Sequence, residues 1–207
     1  MKDKFNLKEI ITLSVTLFLI CSLAAVVLGF ANSITETKID ENNKAALEKS
    51  LKVTMPEASD FQKMFEDGVV PDAEVFSDVG KNTDVYEAKD GDGNVVGWCV
   101  TTVVNGYKPG ISLVIGINKD LTVSAIDIPP SHSETPGLGG NITTDWFKAR
   151  FAGKSSVVIV KRPASADNEV QAITGATMSS RAVAEGVNKS LEIVKAISEE
   201  GDEPENE

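Results

Sequence analysis

The sequence predicts an α+β protein: one N-terminal transmembrane helix, then a single antiparallel-sheet domain with flanking helices. Three observations carry this. The chain from Ile10 to Phe30 is uncharged and apolar. Between Val85 and Ile128, segments rich in Val, Ile and Thr alternate with turns containing Asp, Asn and Gly. Near the C-terminus Val183, Val187, Leu191 and Val194 recur at helical spacing. The 207 residues are then expected to divide into a short N-terminal segment at 1–9, the span at 10–31, a membrane-proximal helical and connecting region at 32–84, the sheet domain at 85–197 and an acidic disordered tail at 198–207. Once the span is set aside, the remainder is about the size of one ordinary domain.

The apolar run is long enough to cross a bilayer as one helix. Gly29 and Ala31 are small at a spacing that would also suit signal cleavage, but the run exceeds a usual signal core, so a retained anchor is expected. Lys2, Lys4 and Lys8 precede the run, whereas Glu36, Asp40 and Glu41 outweigh Lys38 after it. The positive-inside bias therefore expects a cytoplasmic N-terminus and a domain outside the cytoplasm.

Beyond the span, Leu47 and Leu51 stand at helical spacing within Asn42 to Val53, and Pro56 follows where such a helix stops. Val85–Ala88 and Val95–Val104 flank the turn Asp90-Gly91-Asp92-Gly93-Asn94 and read as a hairpin. That turn resembles the opening of a calcium loop, but Val95 and Thr101 stand where an EF-hand needs Gly and Glu, so calcium is rejected. Ile111–Ile117 and Leu121–Ile128 form a second strand pair around Asn118-Lys119-Asp120, ended by Pro129 and Pro130. Asp145–Phe151 is expected as a short helix and Val157–Val160 as a further strand.

A formal charge of -11 and a pI near 4.6, with no clustered Lys or Arg, exclude a nucleic-acid partner. Cys21 lies in the apolar run and Cys99 in a strand, so no disulfide framework exists, and the lone His132 excludes a His-rich metal site.

The sharpest local feature is Thr174-Gly175-Ala176-Thr177-Met178-Ser179-Ser180 ahead of the C-terminal helix. Ser179 and Ser180 are candidate N-caps. A phosphate placed there would meet unpaired backbone N–H groups and the positive end of the helix dipole, and Gly175 and Ala176 would not obstruct it. An ordinary strand-to-helix turn has the same composition, and spacing does not separate the two readings. The loop Ser131-His132-Ser133-Glu134-Thr135-Pro136-Gly137-Leu138-Gly139-Gly140 combines a fixed proline dihedral with glycines that let backbone approach a ligand. His132 and Glu134 invite an acid–base reading, but are assigned to the neighbourhood of a site and not to catalysis.

Ile173-Thr174-Gly175-Ala176-Thr177 resembles the S/T-G-A-T flavinylation motif of the FMN-binding domain family found in RnfG and NqrC. The loop from Glu134 to Gly139 resembles that family's E-T-P-G-x-G segment, and Asn105-Gly106-Tyr107-Lys108-Pro109-Gly110-Ile111 resembles its G-Y-x-x-P-I stretch. The resemblance runs from about Val95 to Ile193. It departs at Gln171, where the family often has Asp.

The resemblance implies an FMN-binding domain at 85–197 with FMN esterified through its phosphate to Thr177. Thr174, Gly175 and Ala176 complete the attachment motif, and Glu134, Thr135, Gly137, Leu138 and Gly139 lie beside the flavin. A flavin transferase would attach FMN from FAD, releasing AMP. The chain would then be an electron carrier in the bacterial cell membrane, part of an Rnf-type ferredoxin:NAD oxidoreductase coupled to Na+ or H+ translocation. Its partners would be other membrane and redox subunits and the surrounding lipid. An NqrC-like subunit of a Na+-pumping quinone reductase, a solitary tethered flavoprotein and a non-redox anchor or assembly subunit with unmodified Thr177 are the alternatives. No residue is given a catalytic or metal-binding role, and Trp146, Tyr107 and Lys108 are not assigned to the site.

Overall fold

A computed structural model describes residues 7–65, 74–77, 79, 81–129 and 133–201, in two compact units divided between Ala45 and Ala46. The first unit is the leading part of helix α1, Leu7–Thr54. Within it Lys8–Phe30 is 23 residues long with a mean hydropathy of 2.6, and none of it is buried. By length and composition this segment is able to cross a membrane as an anchor, its exposed Leu, Val, Ile and Phe side chains being compatible with lipid. The expected separate helix at Asn42 to Val53 is instead the end of α1. No Gly or Pro interrupts the chain between Phe30 and Met55, so nothing breaks the backbone hydrogen bonding until Pro56.

The second unit is built on a five-stranded antiparallel sheet in the order β1 (Asp60–Lys63), β2 (Thr83–Lys89), β3 (Val95–Val104), β4 (Ile111–Asn118) and β5 (Val123–Asp127). The β2–β3 turn closes on Asp90, whose Oδ1 accepts from the backbone N–H groups of Asp92 (2.9 Å) and Asn94 (2.8 Å). After β5 come a 3₁₀ turn at Gly139–Thr143 and helix α2, Asp145–Lys148, continued by a 3₁₀ turn through Phe151. A short parallel pair, β6 (Val158–Val160) and β7 (Glu169–Gln171), leads into helix α3, Thr177–Gly201. Ser198 to Gly201, expected to begin the disordered tail, are thus helical.

Strand alternation sends the two faces of the sheet to different helices. Ile111, Leu113, Ile115 and Ile117 of β4 enter the main core with Val183, Val187, Ile193 and Val194 of α3. The approach is close: a Cβ on Gly186 would stand 2.5 Å from Leu113 Cδ1. On the opposite face Leu51 and Met55, at the end of α1, pack with Ala88, Cys99 and Val114. Ser50 Oγ donates to Asp127 Oδ2 at 2.7 Å, and Lys148 Nζ lies 3.0 Å from Asp127 Oδ1, so one carboxylate joins α1, β5 and α2. Phe147 and Phe151 stack edge-on at 5.3 Å under the sheet's β5 edge. This core fixes the N-terminal end of α3 beside the loops that follow β3 and β5.

Candidate functional site

Gly175, at φ +79°, turns the chain between β7 and α3, a conformation that glycine adopts without strain. Ala176 N–H then donates to Ile173 O, and the first i to i−4 bond of α3 runs from Ser180 N–H to Ala176 O. The amides of Thr177, Met178 and Ser179 therefore have no acceptor within the helix. Ser180 is not an N-cap. It sits in the first turn, where its Oγ donates to Ala176 O at 2.9 Å and accepts from Ile173 N–H at 3.1 Å, locking strand exit to helix entry. Ser179 is not one either: its Oγ donates to Glu134 Oε2 at 3.0 Å.

The loop before α2 is tied by its own backbone. Leu138 N–H and Gly140 N–H both donate to Thr135 O, and Asn141 Nδ2 donates to Gly137 O. This lays Leu138 over the motif glycine, where a Cβ on Gly175 would meet Leu138 Cδ2 at 3.2 Å. The two segments, about forty residues apart, thus form adjoining walls of one cavity of about 530 Å³. Small-molecule sites span roughly 300–1,000 Å³.

Of the residues expected at a site, Glu134, Thr135, Leu138, Gly139, Gly175, Ala176 and Thr177 line this cavity. Thr174 and Gly137 are exposed and do not line it. His132 lies outside the described residues. Tyr107, Met178 and Ser179 line it too. Tyr107 stands in the stretch that resembles the family's G-Y-x-x-P-I segment, but sequence alone does not assign it to the site, because only the fold brings that loop beside α3. Met178 and Ser179 follow from their position: they are the helix turn that starts at Thr177. Trp146 does not line the cavity; Arg150 lies 4.7 Å over its ring and donates to Gln171 O at 2.7 Å, pinning the strand that leads into the motif.

The residues present suit FMN. Tyr107, Leu138 and Met178, all substantially exposed, offer apolar surface to a planar ring, and the first-turn amides of α3 offer donors to a phosphate. No Lys or Arg is among the described residues lining the cavity.

A helix able to cross a membrane, a sheet domain and an open cavity at a helix N-terminus suit an anchored protein that binds a small cofactor. The FMN-binding domain family matches residues 106–192. The G subunit of the Na(+)-translocating ferredoxin:NAD(+) oxidoreductase complex of Acetobacterium woodii is 32% identical over 207 residues, covering 95% of this chain and 97% of that protein. The G subunit of the ion-translocating oxidoreductase complex of Methanosarcina acetivorans is 32% identical over 192 residues, covering 91% and 96%. Among solved structures, the C subunit of the Na(+)-translocating NADH-quinone reductase of Parabacteroides distasonis is 28% identical with a TM-score of 0.45, over 53% of this chain and 59% of that one. The chain belongs to the RnfG family, the FMN-binding G subunits of ion-translocating oxidoreductase complexes.

Proposed function

We propose that this chain is the tethered one-electron carrier of its complex, holding FMN covalently through a phosphoester to Thr177 Oγ1. The observation that carries the reading is the position of Thr177. It is the first residue of α3, half-buried, with its hydroxyl-bearing side chain on the cavity wall among unpaired helix amides.

A covalent link would make retention independent of noncovalent affinity. A helix N-terminus stabilises an anion by about 0.3–1 kcal/mol, and no cation among the described lining residues adds to it. That term is a small part of the roughly 12 kcal/mol of a nanomolar complex, so the ring contacts and backbone donors would have to supply the rest of any noncovalent affinity. A phosphoester removes the need. In the transfer from FAD by a flavin transferase, Thr177 Oγ1 forms the new O–P bond, the bond between the two phosphates breaks, AMP leaves and the hydroxyl proton is released. FMN held this way would supply reversible electron uptake, with Tyr107, Leu138 and Met178 available to its ring and the first-turn amides of α3 available to its phosphate.

The wider role rests on the relatives. Ferredoxin and NAD+ would be the electron source and sink of the whole complex, coupled to Na+ or H+ translocation, with the other membrane and redox subunits as neighbours. α1 would hold the domain at the lipid surface, with Lys2, Lys4 and Lys8 on the cytoplasmic side and the FMN domain opposite. Coexpression with a flavin transferase tests the reading: the denatured wild-type band fluoresces as flavin in a gel, and Thr177→Ala is dark. A wild type that stays dark beside an active transferase favours an unmodified anchor protein and overturns the proposal.

A further inference from the structure

Glu134 is the one acidic or basic residue that is buried among the described residues, at 5% exposure. Burying a carboxylate is costly without donors, and here the donors come from separate parts of the chain. Oε1 accepts from Lys108 N–H at 3.0 Å, in the connection between β3 and β4. Oε2 accepts from Ser179 Oγ at 3.0 Å, in the first turn of α3. The space around the carboxylate is made by two glycines. A Cβ on Gly106 would stand 2.5 Å from Oε1, and one on Gly139 would collide with Oε2 and lie 2.8 Å from Ser179 Oγ.

These three segments are the walls of the cavity. Tyr107 stands between Gly106 and Lys108, Leu138 and Gly139 follow Glu134 in its loop, and Thr177 precedes Ser179 by two residues. One side chain therefore ties the aromatic wall, the loop wall and the attachment helix together. An acid–base role is not needed to explain it, because both its oxygens are used as acceptors.

We infer that Glu134 is the positioning residue of the cofactor cavity: it sets the distance between the Tyr107 loop, the Leu138 loop and the Thr177 turn, and its fixed negative charge lowers the potential of a flavin held there. The inference rests on the functional reading above. Its electrostatic part follows from Coulomb's law, since a buried negative charge in the cavity wall opposes the arrival of electrons nearby and is weakly screened. Its geometric part follows from the charge-assisted hydrogen bonds, which are the stronger kind and come from both flanking walls.

The test uses full-length protein coexpressed with a flavin transferase, comparing wild type, Glu134→Ala, Glu134→Gln and Ser179→Ala. Gln retains both contacts, since its amide oxygen accepts from Lys108 N–H and its NH₂ donates to the Ser179 hydroxyl, but it removes the charge. Glu134→Ala is expected to lose at least half of the flavin per chain and the visible circular dichroism of the remainder. Glu134→Gln is expected to recover most of both and to show a midpoint potential shifted upward from wild type. Ser179→Ala is expected to weaken the visible dichroism with the potential little changed, and it carries the geometric test if Glu134→Ala fails to fold. Unchanged loading and dichroism in Glu134→Ala, or in Ser179→Ala where the former does not fold, overturn the positioning role. An unchanged or lowered potential in Glu134→Gln overturns the charge effect. Flavin on the wild type in the same preparation separates these failures from failure of the functional reading, which would leave every protein, wild type included, without flavin.

Discussion

Ser180 shows how much of the site is decided by single hydrogen bonds. Its hydroxyl is the acceptor for Ile173 N–H in a buried position, so Ser180→Ala leaves an amide without a partner. A cost of about 1–3 kcal/mol is expected, read as a lower denaturation midpoint with an unchanged denaturant slope. Asp127 offers a test by pH. Burial alone would raise its pKa, but the hydrogen bond from Ser50, the hydrogen bond from Lys148 and the Lys148 charge prevail and hold it below the ordinary value of 3.8. A depressed carboxylate contributes stability that is present above its unfolded pKa and is lost as pH falls through the folded one. The thermal midpoint is therefore expected to fall below about pH 4, and Asp127→Asn to reduce stability at pH 7 while flattening that fall. Cys99 has its pKa pushed up to about 12 by burial, countered in part by Thr54. In Cys21→Ser protein, alkylation at pH 8 should wait for unfolding; labelling of the folded protein would contradict the packing described here.

At the scale of elements, the contact between α3 and the sheet is the joint on which the cavity depends. A methyl group at Gly186 would press on Leu113 Cδ1 and stand 2.9 Å from Val104 Cγ1, and Leu113 is fully buried. Gly186→Ala is expected to destabilise by about 1–3 kcal/mol through overpacking, measured by chemical denaturation. An unchanged midpoint would mean that the helix rides further from the sheet. Strands β2 to β5 were legible in the sequence because they alternate and are punctuated by Asp, Asn and Gly turns, and α3 because its apolar residues keep a helical period. β1 was not, since Asp60-Phe61-Gln62-Lys63 is a short edge strand with charged ends and one partly buried side chain. β6 was legible as the run Val157–Val160, whereas β7 is three residues long and too short to show a period. Glu134, Leu138 and the motif were each visible as local sequence, whereas the hydrogen bonds of the Glu134 carboxylate to the Tyr107 loop and to the first turn of α3 arise only where three distant segments meet.

The whole molecule joins an anchor able to span a bilayer to a domain whose cavity is built from segments between Tyr107 and Ser179. Membership of the RnfG family places that domain in a membrane complex, where a cofactor lost to solvent would stop electron flow through the chain. The walls of the site offer a ring apolar surface and offer a phosphate neutral donors among the described residues, and the proposed phosphoester would keep the cofactor there. The most direct test is the intact mass of protein purified after coexpression with a flavin transferase, followed by fragmentation of the peptide containing Thr174 to Ser180. The expected result is one FMN phosphoryl adduct per chain, located on Thr177 and absent from Thr177→Ala. An unmodified mass beside an active transferase, or an adduct located on Thr174 or Ser179 instead, would contradict the assignment of Thr177 as the carrier.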